Sequence, residues 1–214
     1  MAIDQALLEC GHSCPILRIY EWSEPTISFG YFYSLLEVQE LIPSDSGEGL
    51  SYIRRCTGGG VVDHRLDITY TLVIPRSQSL AQKRGVESYC LIHQALAEAL
   101  RKMGEDVEVN GIDEGVSEDD VRVCFANPVP YDLCDLAGKK IAGAGQKRSR
   151  YGLLHQGSVI PSRDSSLYKQ KLPQLLGSCL ANRSISFYPD GVIFERALVL
   201  CKKRYSTKEW MEKR

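Results

Sequence analysis

A run of alternating glycine and alanine, next to two lysines, limits what this chain can fold into more than any other feature. Residues 139–146 read Lys-Lys-Ile-Ala-Gly-Ala-Gly-Gln, which can run extended with almost no side-chain bulk on either face. Turn-forming residues follow at 148–152, and an apolar run returns from Leu153 to Ile160. This pattern predicts a β-hairpin. Residues 155–158, His-Gln-Gly-Ser, would form a polar patch on its returning strand.

The glycines of this hairpin have two explanations. Glycine weakens the interior of a strand, because it packs against nothing and adds entropy to the unfolded chain. Gly143 and Gly145 therefore indicate either a ligand lying directly on the backbone or a bulged or bent strand of the barrel type. The sequence leaves both open.

Length and composition indicate a single domain over residues 1–214. The chain has 214 residues, 43% of them hydrophobic, which is enough for one substantial core. Its net charge of −1 predicts no general attraction for nucleic acid or for a membrane surface. With no apolar run approaching about 20 residues and no signal-like N-terminus, we expect a cytoplasmic protein.

Hydrophobic periodicity and turn residues predict an α+β fold. Helices are expected at Met1–Cys10, Leu35–Leu41, Val86–Met103 and Val192–Lys203. Leu167–Leu180 is expected to hold one or two short helices broken at Pro173 and Gly177. Strands outside the hairpin are expected at Ile16–Trp22, Thr26–Phe29, Leu50–Arg55, Asp67–Ile74, Val107–Val109 and Val121–Phe125.

A triple glycine behind two arginines is a candidate anion site. The amide groups of Gly58–Gly60 could turn towards an anion, with Arg54 or Arg55 supplying positive charge. The segment lacks the Lys-Ser/Thr ending of a nucleotide-binding P-loop. A flexible turn explains the glycines equally well.

The eight cysteines are scattered and form no Cys-x-x-Cys pair. Neither a zinc site nor a disulfide framework is expected. Most should be reduced, buried and inert, so any one cysteine is more often structural than catalytic. His93, inside the clearest helix, is interpreted as a helix-face residue and not as a metal ligand.

Three stretches follow one another along the chain: residues 1–8 with 17–22, residues 54–64, and residues 138–146 with 155–158. In this order they resemble the lipoate–protein ligase and octanoyltransferase family across nearly the whole chain. The resemblance implies mixed, largely antiparallel sheets flanked by helices, related to biotin–protein ligases. It also implies a reaction that ends with an acyl group on a lysine of a lipoyl domain, in a 2-oxoacid dehydrogenase or the glycine cleavage carrier protein.

The same resemblance implies site residues. Lys140 matches the pocket lysine that contacts the acyl carbonyl or the activated phosphate. The positions that it implies for substrate binding are Arg54, Arg55, Gly58, Gly59, Gly60, His64, Gly143, Gln146, His155, Gly157 and Ser158.

The segment that begins at Cys124 distinguishes between branches of the family. Residues 124–128, Cys-Phe-Ala-Asn-Pro, resemble the Cys-Phe-x-x-Pro segment of octanoyltransferases whose cysteine carries the acyl group as a thioester. The predicted reaction moves an octanoyl or lipoyl group from acyl carrier protein, through Cys124, to the lipoyl-domain lysine, without a cofactor. Lys140 would lower the pKa of the thiol and stabilise the oxyanion. Cys134 is the nearest rival, on an alternating strand where a buried thiol is ordinary.

Two other functions stay open. The complete Gly58–Gly60 loop resembles that of ATP-dependent lipoate ligases, which use ATP and magnesium. A non-catalytic acyl- or carrier-binding protein is the third candidate, because fold alone does not fix activity. The basic residues Lys139, Lys147, Arg148 and Arg150 either attract an acidic carrier or form a solvated face.

Overall fold

A computed structural model describes residues 1–42, 49–111 and 129–213 of the protein. The helices are α1 (Ala2–Glu9), α2 (Leu35–Leu41), α3 (Ser79–Gln82), α4 (Gly85–Lys102), α5 (Ser165–Leu180), α6 (Gly191–Leu200) and α7 (Lys208–Met211), with a π-helical turn at Cys201–Tyr205. Within these ranges, no helix combines the length and the apolar character needed to cross a bilayer.

Nine strands form two sheets in the described part of the chain. They are β1 (Ile16–Tyr20), β2 (Thr26–Phe29), β3 (Ser51–Arg54), β4 (Val61–Asp63), β5 (Ile68–Pro75), β6 (Val107–Val109), β7 (Leu133–Asp135), β8 (Lys140–Ser149) and β9 (Gly152–Val159). The six-stranded sheet has the order β1-β5-β9-β8-β7-β6, and all its neighbouring strands are antiparallel. In the three-stranded sheet β3-β2-β4, β2 runs parallel to β3 and antiparallel to β4. The predicted class of mixed, largely antiparallel sheets flanked by helices is confirmed.

The predicted hairpin is confirmed as β8 and β9. Their pairing is continuous from Ala142 opposite Val159 to Ser149 opposite Gly152, so the glycines of β8 mark no bulge against β9. An irregularity in register lies instead between β7 and β8, at Leu133 and Cys134.

The large sheet is buried on both faces, because successive side chains of a strand point to opposite sides. On one face, Leu72 of β5 and Leu153 of β9 pack with the apolar residues of α4 and α5. On the other, Val73 and Leu154 pack with α1 and α6. The eight residues of β5 are all buried. This burial fits a strand that is covered on both sides, and its polar residues Thr69 and Thr71 are buried as well.

The predicted breaks at Pro173 and Gly177 are wrong. Helix α5 runs unbroken over 16 residues with Pro173 inside it. Proline removes one helical hydrogen bond, but Tyr168, Leu172 and Leu176 on the buried side of the helix anchor it in the core. Packing therefore outweighs local propensity here.

We predict that Gly157→Ala destabilises the protein. Gly157 lies opposite Tyr70, and a Cβ atom there would meet the Tyr70 ring at 2.2 Å. Because the ring is fully buried, the clash should cost about 2 kcal/mol or more. In thermal unfolding, Tm should fall by roughly 5 °C or more.

Gly191→Ala is the matched control, because a Cβ atom at Gly191 would have nothing within 4 Å. Equal Tm values for the two variants would contradict the packing argument.

Candidate active site

A pocket lies between the two sheets, over the strands of the predicted hairpin. Its empty space is about 400 Å³ when the part that is open to solvent is counted. Its lining residues are Met1, Tyr20, Ser28, Arg55, Val62, His64, Thr69, Lys140, Gly143, Ala144, Gly145, Gln156, Gly157 and Ser158. The structure thus brings together six of the predicted site residues: Arg55, His64, Lys140, Gly143, Gly157 and Ser158.

Lys140 forms a buried ion pair with Asp132. Its Nζ lies 2.6 Å from Asp132 Oδ2, and the two side chains are 4% and 0% exposed. A buried ammonium is tolerated when a carboxylate balances it. Lys140 also lines the pocket, so this charge can stabilise negative charge that develops on a bound carbonyl oxygen.

Gly143 makes room for this lysine. A Cβ atom at Gly143 would lie 2.7 Å from Lys140 Cε and 2.9 Å from Nζ. The close approach that the glycines predicted is therefore made here by the protein's own lysine side chain. Gly145 admits another part of the chain in the same way, because a Cβ atom there would lie 2.2 Å from the carbonyl oxygen of Gly58.

Asp132 is held by two further donors. Tyr89 OH of α4 donates to Oδ1 at 2.5 Å, and the amide of Val129 donates to Oδ2 at 2.8 Å. Burial raises the pKa of Tyr89 well above its usual value, and the Asp132 carboxylate adds to this shift. The phenol therefore stays protonated and keeps donating. Its oxygen also accepts from the amide of Ala144 at 2.9 Å, which ties α4 to β8.

The turn before Asp132 is also fixed. Tyr131 has φ of +70°, a backbone conformation that is unfavourable for a bulky residue. Its amide donates to the carbonyl of Asn110 at 3.0 Å, and its carbonyl accepts from His93 Nδ1 at 2.6 Å. These bonds hold the turn that aims Asp132 at Lys140.

Two buried histidines lie behind the pocket, between the large sheet and α4. Burial lowers the pKa of His93 to about 4. Burial, and then the nearby His93, lower the pKa of His155 well below its usual value. Both rings are therefore neutral at pH 7. The Nε2 atom of His93 is buried and has no hydrogen-bond partner among the described residues.

The triple-glycine loop is clamped by Arg55. Its Nη2 donates to the carbonyls of Gly60 at 2.7 Å and Gly58 at 3.3 Å, and its Nη1 donates to Ser28 Oγ at 2.7 Å. Gly59 has φ of +91°, which favours glycine. The loop is therefore a fixed turn in this structure, packed against β8.

Besides the three glycines of this loop, which are not among the residues that line the pocket, three predicted site residues lie away from it. Arg54 is buried and donates to the backbone carbonyls of Tyr31, Tyr33, Met211 and Lys213. Gln146 and His155 bond to each other at 3.0 Å on the α4 side of the sheet. Alternation along β9 brings the neighbouring Gln156 to the pocket instead.

Cys124 and its Cys-Phe-x-x-Pro segment lie outside the described residues, so its predicted role stays a prediction. Cys134 is described and buried. Burial raises its pKa, and the Asp132 carboxylate adds to this shift. This disfavours the thiolate form that a nucleophile requires.

Sequence reasoning missed Asp132, Tyr89, Ser28 and Asp67 as members of the site. Asp132 carried a signal, because it is a charged residue in an alternating strand pattern next to the glycine hairpin. His93 was interpreted as a helix-face residue, and that face is the buried one. No group of three or more His, Cys, Asp or Glu in the described ranges is placed to hold a metal ion.

Comparison with known proteins identifies the family. Residues 1–191 match the model of the lipoyl protein ligase A/B catalytic domain. The chain belongs to this family. The assignment agrees with the resemblance of the glycine hairpin and the 54–64 loop.

Relatives in the family include two proteins named Octanoyltransferase LipM. The one from Geobacillus kaustophilus is 34% identical over 175 residues, which is 78% of this chain and 62% of the relative. The one from Moorella thermoacetica is 37% identical over 164 residues, which is 75% of this chain and 59% of the relative. The matched region therefore spans about three fifths of these relatives.

Solved structures of the family share the fold. A bi-partite lipoate protein ligase from Thermoplasma acidophilum superposes with a TM-score of 0.74 at 18% identity, covering 99% of this chain and 89% of that chain. Lipoate-protein ligase A bound with ATP gives 0.73 at 21% identity, covering 99% and 92%. At this identity the likeness concerns the fold alone.

We predict that breaking the Lys140–Asp132 ion pair strongly lowers the free energy of unfolding. Asp132→Asn removes the charge that balances the buried ammonium, and Lys140→Met leaves a buried carboxylate. Each should lower the free energy of unfolding by about 3–5 kcal/mol. Urea unfolding at pH 7 measures this.

The double variant is the control, because it removes both charges. It should lose clearly less than the sum of the two single losses. Additive losses would contradict the ion pair.

We also predict that stability falls in acid because of His93. In the unfolded chain a histidine has a pKa of about 6.5, whereas in the folded protein burial lowers the pKa of His93 to about 4. As pH drops between these values, only the unfolded state takes up the proton, so the free energy of unfolding falls, by the order of 3 kcal/mol.

The variant His93→Gln keeps a donor for the Tyr131 carbonyl and removes this titration. Its free energy of unfolding should fall less than that of the wild type between pH 7 and pH 4, while His155 preserves part of the dependence. An unchanged dependence in the variant would contradict the assignment.

Proposed function

We propose that the protein is an octanoyltransferase of protein lipoylation. It takes an octanoyl or lipoyl group from acyl carrier protein, holds it as a thioester on Cys124, and passes it to a lysine of a lipoyl domain. The acceptor would belong to a 2-oxoacid dehydrogenase or to the glycine cleavage carrier protein. The observation that carries the proposal is the match to proteins named Octanoyltransferase LipM over about three quarters of this chain.

The geometry of the pocket supports this chemistry. Attack of the Cys124 thiolate on the carrier thioester forms one carbon–sulfur bond and breaks another, and the carrier leaves as a thiolate. Lys140 can stabilise the oxyanion of both transfer steps, because its ammonium is buried and lines the pocket. The lysine amine of the acceptor then displaces the Cys124 sulfur and forms the amide.

Neither ATP nor magnesium takes part in this reaction, since the acyl group arrives already activated as a thioester. We propose that the protein acts in the cytoplasm, where thiols stay reduced. The seven described cysteines are free thiols, which accords with such a compartment.

An ATP-dependent lipoate ligase is the second candidate. The complete Gly58–Gly60 loop favours it, and Arg55 holds this loop against β8. In that reaction ATP and magnesium activate lipoate as an adenylate, and the same Lys140 would face the activated phosphate. Cys124 would then have no chemical role.

Intact-protein mass spectrometry distinguishes the candidates. The purified protein and a Cys124→Ser variant are mixed with octanoyl-loaded acyl carrier protein in the absence of ATP. We expect the wild type to gain one octanoyl group and to lose it when a lipoyl domain is added, and the variant to gain none.

The control repeats the measurement with lipoate and ATP in place of the carrier. Lipoyl-domain modification only under these conditions, with Cys124→Ser fully active, would establish the ligase and contradict the proposal. Ligand-induced stabilisation without transfer under either condition would leave an acyl- or carrier-binding protein.

A further inference from the structure

Three side chains in the pocket wall form a buried polar chain that the proposed mechanism has not used. His64 Nε2 lies 2.5 Å from Ser28 Oγ, and His64 Nδ1 lies 2.7 Å from Asp67 Oδ2. The carboxylate is 1% exposed and the imidazole 3%. Ser28 and His64 both line the pocket, so this polar chain runs from the pocket surface into the protein interior.

The hydrogen-bond partners determine which atoms of this polar chain donate and which accept. Asp67 accepts hydrogen bonds from the hydroxyl groups of Thr69 and Ser158, as an ionised carboxylate does. His64 Nδ1 therefore carries a hydrogen and donates to Asp67, which leaves Nε2 to accept from the Ser28 hydroxyl. Ser28 Oγ in turn accepts from Arg55 Nη1 at 2.7 Å. This arrangement favours moving a proton from Ser28 towards His64.

The ring of His64 is also held in place. Trp22 stacks on it at a centroid distance of 4.5 Å and donates from Nε1 to Thr69 Oγ1 at 2.9 Å. Thr69 Oγ1 lies 3.1 Å from His64 Nδ1. A base held by packing and by a carboxylate needs little reorganisation when a proton arrives.

Formation of the amide requires a base. An acceptor lysine has a pKa of about 10.4, so at pH 7 fewer than about one in a thousand is neutral and able to attack. Of the described residues that line the pocket, Lys140 is paired with Asp132 and Arg55 is bonded to loop carbonyls. His64 is the imidazole among them.

We propose that Ser28, His64 and Asp67 form a proton relay that removes the proton of the acceptor amine, an inference that rests on the proposed function. The acceptor ammonium gives a proton to Ser28 Oγ while the Ser28 proton passes to His64 Nε2, and the neutral amine attacks the thioester carbonyl. The nitrogen is positively charged once it is bonded to carbon, and it loses a second proton to water. The bond to the leaving sulfur then breaks, and His64 returns its proton to the thiolate. Ser28 and His64 are catalytic residues in this step, and Asp67 is a positioning residue.

The relay lies close enough to Lys140 to act in the same step. Ser158, which donates to Asp67, is the cross-strand neighbour of Gly143, and such neighbours have Cβ positions about 5 Å apart. The Lys140 side chain lies against Gly143. The Asp67 end of the relay and the ammonium thus lie on two sides of one residue pair, and Ser28, His64 and Lys140 line the same pocket. The ammonium can hold the carbonyl oxygen while the relay accepts the proton.

The test measures the discharge of the isolated acyl-enzyme in single turnovers. Wild type, His64→Gln, Asp67→Asn and Ser28→Ala are first loaded from octanoyl-loaded acyl carrier protein. Each is then mixed either with a lipoyl domain or with hydroxylamine, a small amine that is neutral at pH 7. Transfer to the lipoyl domain should fall by about 100-fold or more in the three variants. Discharge by hydroxylamine should stay within a few-fold of wild type.

A merely structural role would change both discharges equally, which would overturn the relay, as would wild-type transfer rates in the variants. Asp63→Asn is the matched control, because Asp63 belongs to the same segment but pairs with Arg65 at the surface. It should transfer like wild type. If His64→Gln does not fold, Asp67→Asn and Ser28→Ala give the same comparison.

The proposed function and the relay fail in different ways. If the wild type forms no acyl-enzyme, the proposed function fails, and the variants are then compared with lipoate and ATP, since a lysine amine must lose its proton there too. A selective loss in that assay would support the relay alone. A wild-type protein that modifies the lipoyl domain by neither route would overturn both.

Discussion

The buried pair of Lys140 and Asp132 is the interaction on which the site depends. Removing two charges from water is costly, and their attraction offsets this only when the remaining hydrogen-bonding positions are filled. Asp132 meets this condition through Tyr89 and the Val129 amide. Gly143 supplies the space, because any side chain there would displace the lysine. The glycine hairpin, helix α4 and the turn before β7 therefore all help to hold the Lys140 ammonium in place.

The arrangement that holds the Lys140–Asp132 ion pair explains why the two faces of the hairpin differ. One face meets α4 with neutral, buried histidines and a phenol that stays protonated. The other face opens to the pocket through Gln156 and Ser158. Alternation along the strand separates the two sets by a single residue. The layer behind the sheet holds Lys140 and Asp132 in position, and the layer in front is where chemistry can occur.

The small sheet contributes the other wall of the pocket. Arg55, the residue that follows β3, bonds both to the glycine loop and to Ser28, so the loop and the polar chain through His64 share one guanidinium. Arg54, its neighbour, instead fixes the chain near Met211 by donating to backbone carbonyls. Adjacent arginines thus serve different purposes, one at the pocket and one in packing.

The sequence by itself determined the hairpin, the longest helix and most strands, because glycine spacing and hydrophobic period are local properties. Its resemblance to a known family also implied six residues of the pocket wall. Only the tertiary structure decided which polar side chains meet. Asp132 and Lys140 lie eight residues apart in sequence, near an irregularity in the pairing of β7 and β8, and His93 reaches Tyr131 from another layer. It also decided that α5 continues through Pro173, since buried leucines outweigh a lost backbone bond. Such outcomes depend on burial and on contacts distant in sequence, which local patterns do not encode.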